Sequence, residues 1–194
     1  NFAATAYLNR WKVKIYYEHY FDDHSQMFFQ YGRWKDGHIG LEITFPKNRF
    51  IDTFVYEGLG TKDQTGPMLY DSFWGEFEEQ ISAKDNYYNH YLYQGWQHWG
   101  MGIGNPLLPG PIYNKNGQIT FISNRVLAHH IGFCGSPCQS LSYRMLLSYS
   151  RHWGTYDNPL NEIKKQFNSL FEVTYAPQQL KGWSFTVSGA MDRG

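Results

Sequence analysis

Residues 11–21 read WKVKIYYEHYF, and one side chain in two along this segment is apolar. Successive side chains of a β-strand point to opposite faces, so the segment predicts a strand with one apolar and one polar face. Segments 140–151, 165–175 and 182–191 repeat the alternation. We predict strands at residues 7–21, 38–46, 49–59, 117–133, 140–151, 165–175 and 182–191.

The alternation also assigns a face to each strand residue. We expect one surface to carry Trp11, Val13, Ile15, Tyr143, Met145, Leu147, Phe171, Val173 and Phe185, and the other to carry Lys12, Lys14, Arg144 and Glu172. Long runs rich in Tyr, Trp and Phe favour an all-β, antiparallel outer-membrane-type barrel, with lipid outside and a polar lumen inside. A soluble β-sandwich gives a similar alternation and remains the alternative.

The connections between the predicted strands alternate in length. Long connections fall at 22–37, 60–116 and 152–164, and short ones at 46–48, 134–139 and 176–181. Outer-membrane barrels have short periplasmic turns and long outer loops, whereas a sandwich has no reason to alternate. The loop lengths therefore favour the barrel.

Composition limits the class of protein. The 194 residues suit one large all-β domain, so we treat 1–194 as a single antiparallel barrel domain. Aromatic residues are abundant at 19%, and charged residues, at 18%, are few for a soluble surface. The 17 basic and 17 acidic residues cancel, so the net charge predicts neither a nucleic-acid nor an anionic-lipid partner. The sequence contains no run of about 18 apolar residues, so it predicts no transmembrane helix.

Seven predicted strands are an odd number, whereas bacterial single-chain barrels have even numbers. The chain also lacks an initiator Met and a signal peptide. We therefore expect a portion of a larger barrel, with further strands at 1–5, within 22–37 or outside this chain.

The segment 85–99 mixes flat aromatic rings with neutral hydrogen-bonding side chains. Sugars present an apolar C–H face and a rim of hydroxyl groups, and Tyr and Trp can contact both. The candidate saccharide-binding residues are Tyr88, His90, Tyr91, Tyr93, Trp96, His98 and Trp99. The alternative is that these rings plug the lumen or form the aromatic girdle at the lipid headgroups.

Other motifs predict structure rather than chemistry. Gly100, Gly102 and Gly104 lack the spacing of a dinucleotide fingerprint and predict a tight loop. His129 and His130 are adjacent and would point to opposite faces of a strand, so we predict no metal site.

An acidic cluster, Glu76, Glu78 and Glu79, lies in a long loop region that has room for a short helix. Glu76 and Glu79 could share a helix face, as an acid–base pair of a glycosidase requires. Solvated helix charges explain the cluster more simply, so we predict no catalytic residues and no cofactor.

Cys134 and Cys138 are the two cysteines of the chain and fall in a predicted periplasmic turn. In an oxidising compartment such a pair predicts a disulfide that staples the turn. A pair of free thiols remains the alternative.

Two positions conflict with a regular barrel wall. Arg125 shares the parity of Phe121 and Leu127 and would face lipid, unless a β-bulge shifts the register. Asp52 and Glu57 have opposite parity, so one of them also falls on the apolar side, unless Glu57 lies beyond the membrane.

Several ordered motifs in residues 85–194 resemble the Wzi family of capsule-assembly proteins. They are DNYYNHYLYQGW at 85–96, GMGIGNPL at 100–107, NRVLAHHIG at 124–132, YSRHWGTY at 149–156 and AMDRG at 190–194. The resemblance implies an outer-membrane barrel larger than this chain, in a Gram-negative bacterium. It further implies a non-enzymatic lectin that binds capsular or extracellular polysaccharide and helps attach or assemble it at the cell surface.

The expected partners are therefore capsular or exopolysaccharide and outer-membrane lipid, and we expect a monomer. The family supplies no catalytic residues to carry over. The alternative function is a soluble, secreted β-sandwich domain that binds or cleaves a glycan.

Overall fold

The protein is described by a computed structural model that covers residues 1–20, 36–48, 50–69, 81–90, 92–180 and 182–194. Eight strands form one antiparallel sheet in the order β1-β2-β3-β4-β9-β10-β11-β12. Their bounds are β1 Phe2–Leu8, β2 Trp11–His19, β3 Gly37–Thr44, β4 Thr53–Gly60, β9 Val126–Cys138, β10 Leu141–Gly154, β11 Pro159–Tyr175 and β12 Phe185–Arg193. The strands β1 and β12 are the edges, so the described strands form an open sheet, not a closed barrel.

The remaining elements are short and lie in the connection between β4 and β9. Strands β5 (Thr65–Leu69) and β6 (Ile81–Lys84) form one hairpin, and β7 (Gln97–His98) and β8 (Met101–Gly102) form another. A 3-10 helix at Pro111–Tyr113 is the only helical element in the described part of the chain. The predicted acidic helix around Glu76 lies outside the described residues.

The sheet contains an eighth strand that the predicted set of seven lacked. The predicted strand 7–21 is wrong at its start, because β1 ends at Leu8 and a turn at Asn9 leads into Trp11. Asn9 has a φ of 55°, a left-handed conformation that Asn adopts more readily than most residues. The expectation of a further strand at 1–5 is therefore confirmed.

The predicted faces of the sheet are confirmed. Opposite residues in antiparallel strands share a face, and the register links Ile15 to Leu41, then to Tyr56, Ile131 and Leu147 across five strands. All nine apolar residues predicted to share a surface lie on this face: Trp11, Val13, Ile15, Tyr143, Met145, Leu147, Phe171, Val173 and Phe185. We call it the apolar face; many of its large side chains are about half exposed, including Ile15, Ile39, Phe171, Tyr175 and Phe185.

The opposite, polar face holds paired charges. Lys12 lies 3.6 Å from Glu42, and Arg144 lies 3.3 Å from Glu172. Asn168 donates a hydrogen bond of 2.7 Å to Asp192 further along the sheet. The sheet is therefore reversed relative to a soluble half-buried sheet, because its polar side chains pair with one another while its apolar side chains are exposed.

The connections alternate as expected at two of the three predicted long loops. Residues 20–36 and 61–125 leave the same end of the sheet, which we call the loop end. The predicted long turn at 152–164 is wrong: β10 and β11 extend toward each other, and only residues 155–158 connect them. A hydrogen bond from the backbone N–H of Thr155 to the Asn158 carbonyl closes this turn.

The predicted strand 117–133 is also wrong at both ends, since β9 runs from Val126 to Cys138. Arg125 therefore precedes the strand, and its guanidinium stacks on the Tyr156 ring at 3.8 Å. Glu57 lies on the polar face opposite His130, and Asp52 precedes β4, where it accepts a hydrogen bond from Ser136. Both parity conflicts are therefore removed without the β-bulge that Arg125 was expected to need.

The predicted disulfide between Cys134 and Cys138 is not formed, and both cysteines are free. The two residues lie on the same strand, four positions apart, because the turn falls after Cys138. Four strand residues span about 13 Å, whereas a disulfide needs Cα atoms within about 7 Å. Cys134 pairs with Arg144 and Cys138 with Leu141, which places the thiols on opposite faces.

We expect two titratable thiols per chain when unreduced protein is denatured and treated with a thiol reagent. Replacing both Cys134 and Cys138 with Ser should change the free energy of unfolding by less than about 1 kcal/mol, since no cross-link is lost. A reductant should leave the unfolding transition unchanged. A transition that shifts on reduction would show that the two thiols can be brought together.

Among the described residues, no helix is long and apolar enough to cross a membrane. The buried hydrophobic cluster is small, with Leu108, Phe121, Val126 and Ala128, and it lies at the loop end. Tyr88, Leu107, Leu108 and Phe121 of the β4–β9 connection thus pack on the polar face of the sheet where β9 begins.

Candidate functional site

A buried polar network fastens the long connection to the loop end of the sheet. The side chain of Asn124 donates hydrogen bonds to Asn86 Oδ1 (2.6 Å) and to the Tyr87 carbonyl (2.7 Å), and it accepts one from Gln64 (2.8 Å). Asn124 and Gln64 are fully buried. Buried amides need such partners, so the network fixes the path of the segment 86–90 above the sheet.

A second asparagine extends the network toward the small core. Asn89 donates to Asn86 Oδ1 and to the Phe121 carbonyl, each at 2.9 Å, and accepts from the Phe121 backbone N–H at 2.8 Å. Thr61 donates to the Asn124 carbonyl at 2.6 Å. The asparagines of the motifs at 85–96 and 124–132 therefore hold the two segments together.

Asp36 anchors the network from the other long connection. Its carboxylate accepts hydrogen bonds from the backbone N–H groups of Asp63 (2.9 Å) and Gln64 (2.5 Å) and from the Tyr87 hydroxyl (3.1 Å). Asp36 is 1% exposed. Removal from water raises the pKa of this carboxyl above its ordinary value, although the three hydrogen bonds act in the opposite direction.

The raised pKa of Asp36 predicts a pH dependence of stability. Because the folded protein disfavours ionisation here, the stabilising contribution of Asp36 is complete below pH 3.8 and is lost as the pH rises through the folded pKa. The unfolding free energy of the wild type, minus that of Asp36→Asn, should therefore fall on raising the pH from 3.8. Denaturant titrations of both proteins at several pH values measure this difference. A difference that grows with pH would contradict the prediction.

A cavity of about 930 Å³ lies between the polar face of the sheet and the connection 86–108. Its sheet side includes Glu18, His38, Glu57 and His130, and its loop side includes the segments 86–90 and 104–108 and the ring of Trp96. The volume is in the range of ligand-binding pockets.

The sheet wall of the cavity is a chain of charged and hydroxyl groups. His38 lies between two carboxylates, with Nδ1 3.8 Å from Glu18 and Nε2 3.4 Å from Glu57. Tyr16 donates its hydroxyl hydrogen bond to Glu57, and His130 shares one with Ser148 at 2.7 Å. These groups provide donors and acceptors on a wall held rigid by the strand ladder.

The loop wall supplies aromatic surface. The Tyr88 and Trp96 rings lie 5.7 Å apart, and Tyr88 also packs edge-on against Phe121 at 5.1 Å. Burial raises the pKa of Tyr88, which therefore keeps its hydroxyl proton at neutral pH. Burial likewise raises the pKa of Tyr20, on the same cavity, to about 12.

The structure brings together three of the seven predicted saccharide-binding residues. Tyr88, His90 and Trp96 line the cavity. Tyr93 is 72% exposed, Trp99 is 84% exposed and His98 is exposed, and none of the three lines it. The predicted residue Tyr91 lies outside the described residues.

The glycine motif forms the predicted tight loop. Gly100 and Gly104 have φ values of 79° and 89°, which favour glycine. Residues 101–102, which lie between these two glycines, pair with residues 97–98 in a short hairpin. In the described part of the chain, no group of three or more His, Cys, Asp or Glu side chains is placed to hold a metal ion.

The sequence prediction missed the sheet wall of the cavity. Glu18, His38, Glu57 and His130 come from four strands, and they meet because Glu18 pairs with His38 and Glu57 with His130 in the register. A signal was present in the sequence, since each is a polar residue with the parity of the polar face, near the loop end of its strand. The sequence pattern did not show that these four side chains lie together, because that depends on which strands pair.

Comparisons with known proteins give no relative for this chain. No protein-family model, no curated protein and no solved structure matches it.

Proposed function

We propose that this chain forms part of the wall of an outer-membrane β-barrel that binds surface polysaccharide, as its resemblance to the Wzi capsule-assembly family implies. The observation that carries the proposal is the reversed sheet. Large side chains of its apolar face are exposed on six of the eight strands, all but β4 and β9, while its polar face holds ion pairs and a cavity. This distribution suits lipid on one side and an aqueous lumen on the other.

A soluble sandwich fits this arrangement less well. In a sandwich the apolar faces of two sheets pack against each other at about 10 Å. Here the described residues place many apolar side chains of the main sheet in contact with solvent, and the packed connection covers part of the polar face instead.

The cavity supports binding of a saccharide without catalysis. Tyr88 and Trp96 offer flat rings for the C–H face of a sugar, and His90, Asn105 and the sheet wall offer partners for its hydroxyl groups. Glu57 is engaged by both Tyr16 and His38, so its role in the proposal is to orient these groups. The capsular or extracellular polysaccharide of the cell surface is the proposed ligand.

The membrane part of the proposal is tested by extraction. We expect the protein to fractionate with the outer membrane, to need detergent for release and to run at different positions on a gel before and after heating. Release by salt or alkali without detergent would overturn the barrel.

The saccharide part is tested by Trp96→Ala. Loss of one stacking ring should weaken binding of purified surface polysaccharide about 5- to 10-fold, because such contacts contribute about 1 kcal/mol. Cells carrying the variant should release more polysaccharide into the medium. The measurements are a binding titration and a comparison of cell-bound with released polysaccharide.

The matched control is Trp99→Ala. Trp99 belongs to the same loop but is 84% exposed and does not line the cavity, so its removal should leave both quantities unchanged. Equal effects of the two variants would show that the aromatic loop acts outside the cavity. No effect of Trp96→Ala, at normal outer-membrane levels, would remove the cavity as the binding site.

A further inference from the structure

Basic and aromatic side chains form a compact cluster at the loop end of the sheet, away from the cavity. The Lys62 ammonium lies over the Trp153 ring at 4.7 Å, and the Arg151 guanidinium lies 5.4 Å from the same ring. Arg125 stacks on Tyr156 at 3.8 Å and donates its Nε hydrogen bond to the Lys62 carbonyl. We call Lys62, Arg125, Arg151 and Lys165, with these two rings, the basic cluster.

No carboxylate among the described residues neutralises the charges of the basic cluster. Arg151 lies directly opposite Lys165 in the β10–β11 register, and like charges at opposite positions repel. Among the described residues, none of the four cations forms an ion pair with a carboxylate. An anion between them would therefore relieve repulsion as well as gain hydrogen bonds.

The position of the basic cluster points to the ligand. Arg151 and Lys165 follow directly on Tyr149 and Phe167 along the apolar face, so the cluster adjoins the apolar side chains toward the loop end. Trp and Tyr rings at such a boundary are typical of the membrane–water interface. Cationic side chains at that depth bind lipid phosphate groups.

We propose that the basic cluster binds the phosphate groups of a phosphorylated glycolipid, the lipopolysaccharide of the outer leaflet. This inference rests on the proposed function, because it requires that the apolar face meet lipid with the loop end outward. Guanidinium groups donate two hydrogen bonds to one phosphate, and stacking on Tyr156 orients the Arg125 donors in advance. The cluster thus fixes the depth and orientation of the wall through the lipid rather than through polysaccharide.

The test is the affinity of the detergent-solubilised protein for diphosphoryl lipid A, measured by native mass spectrometry. The double variant Arg151→Gln/Lys165→Gln should bind lipid A about 10- to 30-fold more weakly, because each cation near a lipid phosphate contributes about 1 kcal/mol. A second double variant, Lys62→Gln/Arg125→Gln, should show the same direction. Arg10→Gln, in the turn at the opposite end of the sheet, is the control and should bind as the wild type does.

Inorganic phosphate and dephosphorylated lipid A separate the two possible sources of the phosphate chemistry. We expect weak competition from inorganic phosphate and little binding of dephosphorylated lipid A. Wild-type affinity in both double variants would overturn the proposal, as would inorganic phosphate that competes as well as lipid A. A protein that is soluble without detergent would instead overturn the proposed function itself.

Discussion

Replacement of Asn124 with Ala is expected to lower the free energy of unfolding by about 3–5 kcal/mol, because three buried hydrogen bonds are lost at once. The Tyr87 carbonyl would lose its bond from the Asn124 side chain, and Asn86 and Gln64 would each lose a partner. A hydrogen-bonding group that stays buried without a partner lowers the free energy of unfolding. The segment 86–90 should therefore separate from the sheet and open the cavity.

Unfolding in denaturant measures the loss, and limited proteolysis within residues 86–123 reports the opening. Asn116→Ala is the matched control, because Asn116 is an exposed asparagine of the same connection that accepts one local hydrogen bond from the Gln118 backbone. That variant should lose less than about 1 kcal/mol. Comparable losses in the two variants would mean that the network does not hold the connection in place.

The faces of the sheet and its antiparallel arrangement could be predicted from the sequence, whereas the ends of several strands could not. Side chains of a strand alternate with a fixed period of two, so the parity of Ile15 or Lys14 determines its face wherever the strand pairs. Strand β1 was harder to recognise because Ala occupies residues 3, 4 and 6 and weakens the contrast between parities. The short turn at 155–158 was missed because residues 159–166, the mostly polar first part of β11, resemble a loop in sequence.

Only the loop side of the candidate site was predicted, because its sheet side depends on contacts between strands that are distant in sequence. Tyr88 and Trp96 belong to one continuous segment whose composition indicates contact with sugars. Glu57 and His130 are 73 residues apart and become neighbours only through the pairing of β4 with β9. Sequence patterns establish local periodicity, but this pairing is a property of the whole sheet.

The disulfide prediction was wrong because it placed the end of β9 five residues too early. It placed residues 134–139 in a turn, whereas β9 continues to Cys138 with a register shift between Leu141 and Tyr143 on the partner strand. Extending the strand by five residues separates two thiols that a tight turn would have brought together. Gly135, Ser136 and Pro137 favour a turn in isolation, and the pairing with β10 overrides that preference.

If the proposed barrel wall meets lipid, replacement of Ile15 with Arg should cost about 2–4 kcal/mol and reduce the amount of folded protein in the membrane, because Ile15 lies at the middle of β2 on the apolar face. A charge at that depth must leave water if the face meets lipid. Ile15 is 48% exposed, so in a soluble protein the same substitution would cost less than about 1 kcal/mol. The surroundings of the face, rather than the contacts of Ile15, therefore determine the size of the effect.

The control is Ala3→Arg, which introduces the same charge at nearly the same height on the polar face. Ala3 pairs with Tyr16, the residue after Ile15, and an Arg there would meet the aqueous side near Glu57. For this variant we expect the wild-type amount of protein in the membrane. We also expect the wild-type free energy of unfolding, measured in detergent or in lipid vesicles. A large loss for Ile15→Arg alone requires an apolar medium on one side of the sheet only. Small losses in both variants would show that the apolar face contacts water. The proposed barrel wall and the proposed lipid site at its rim would then both be wrong.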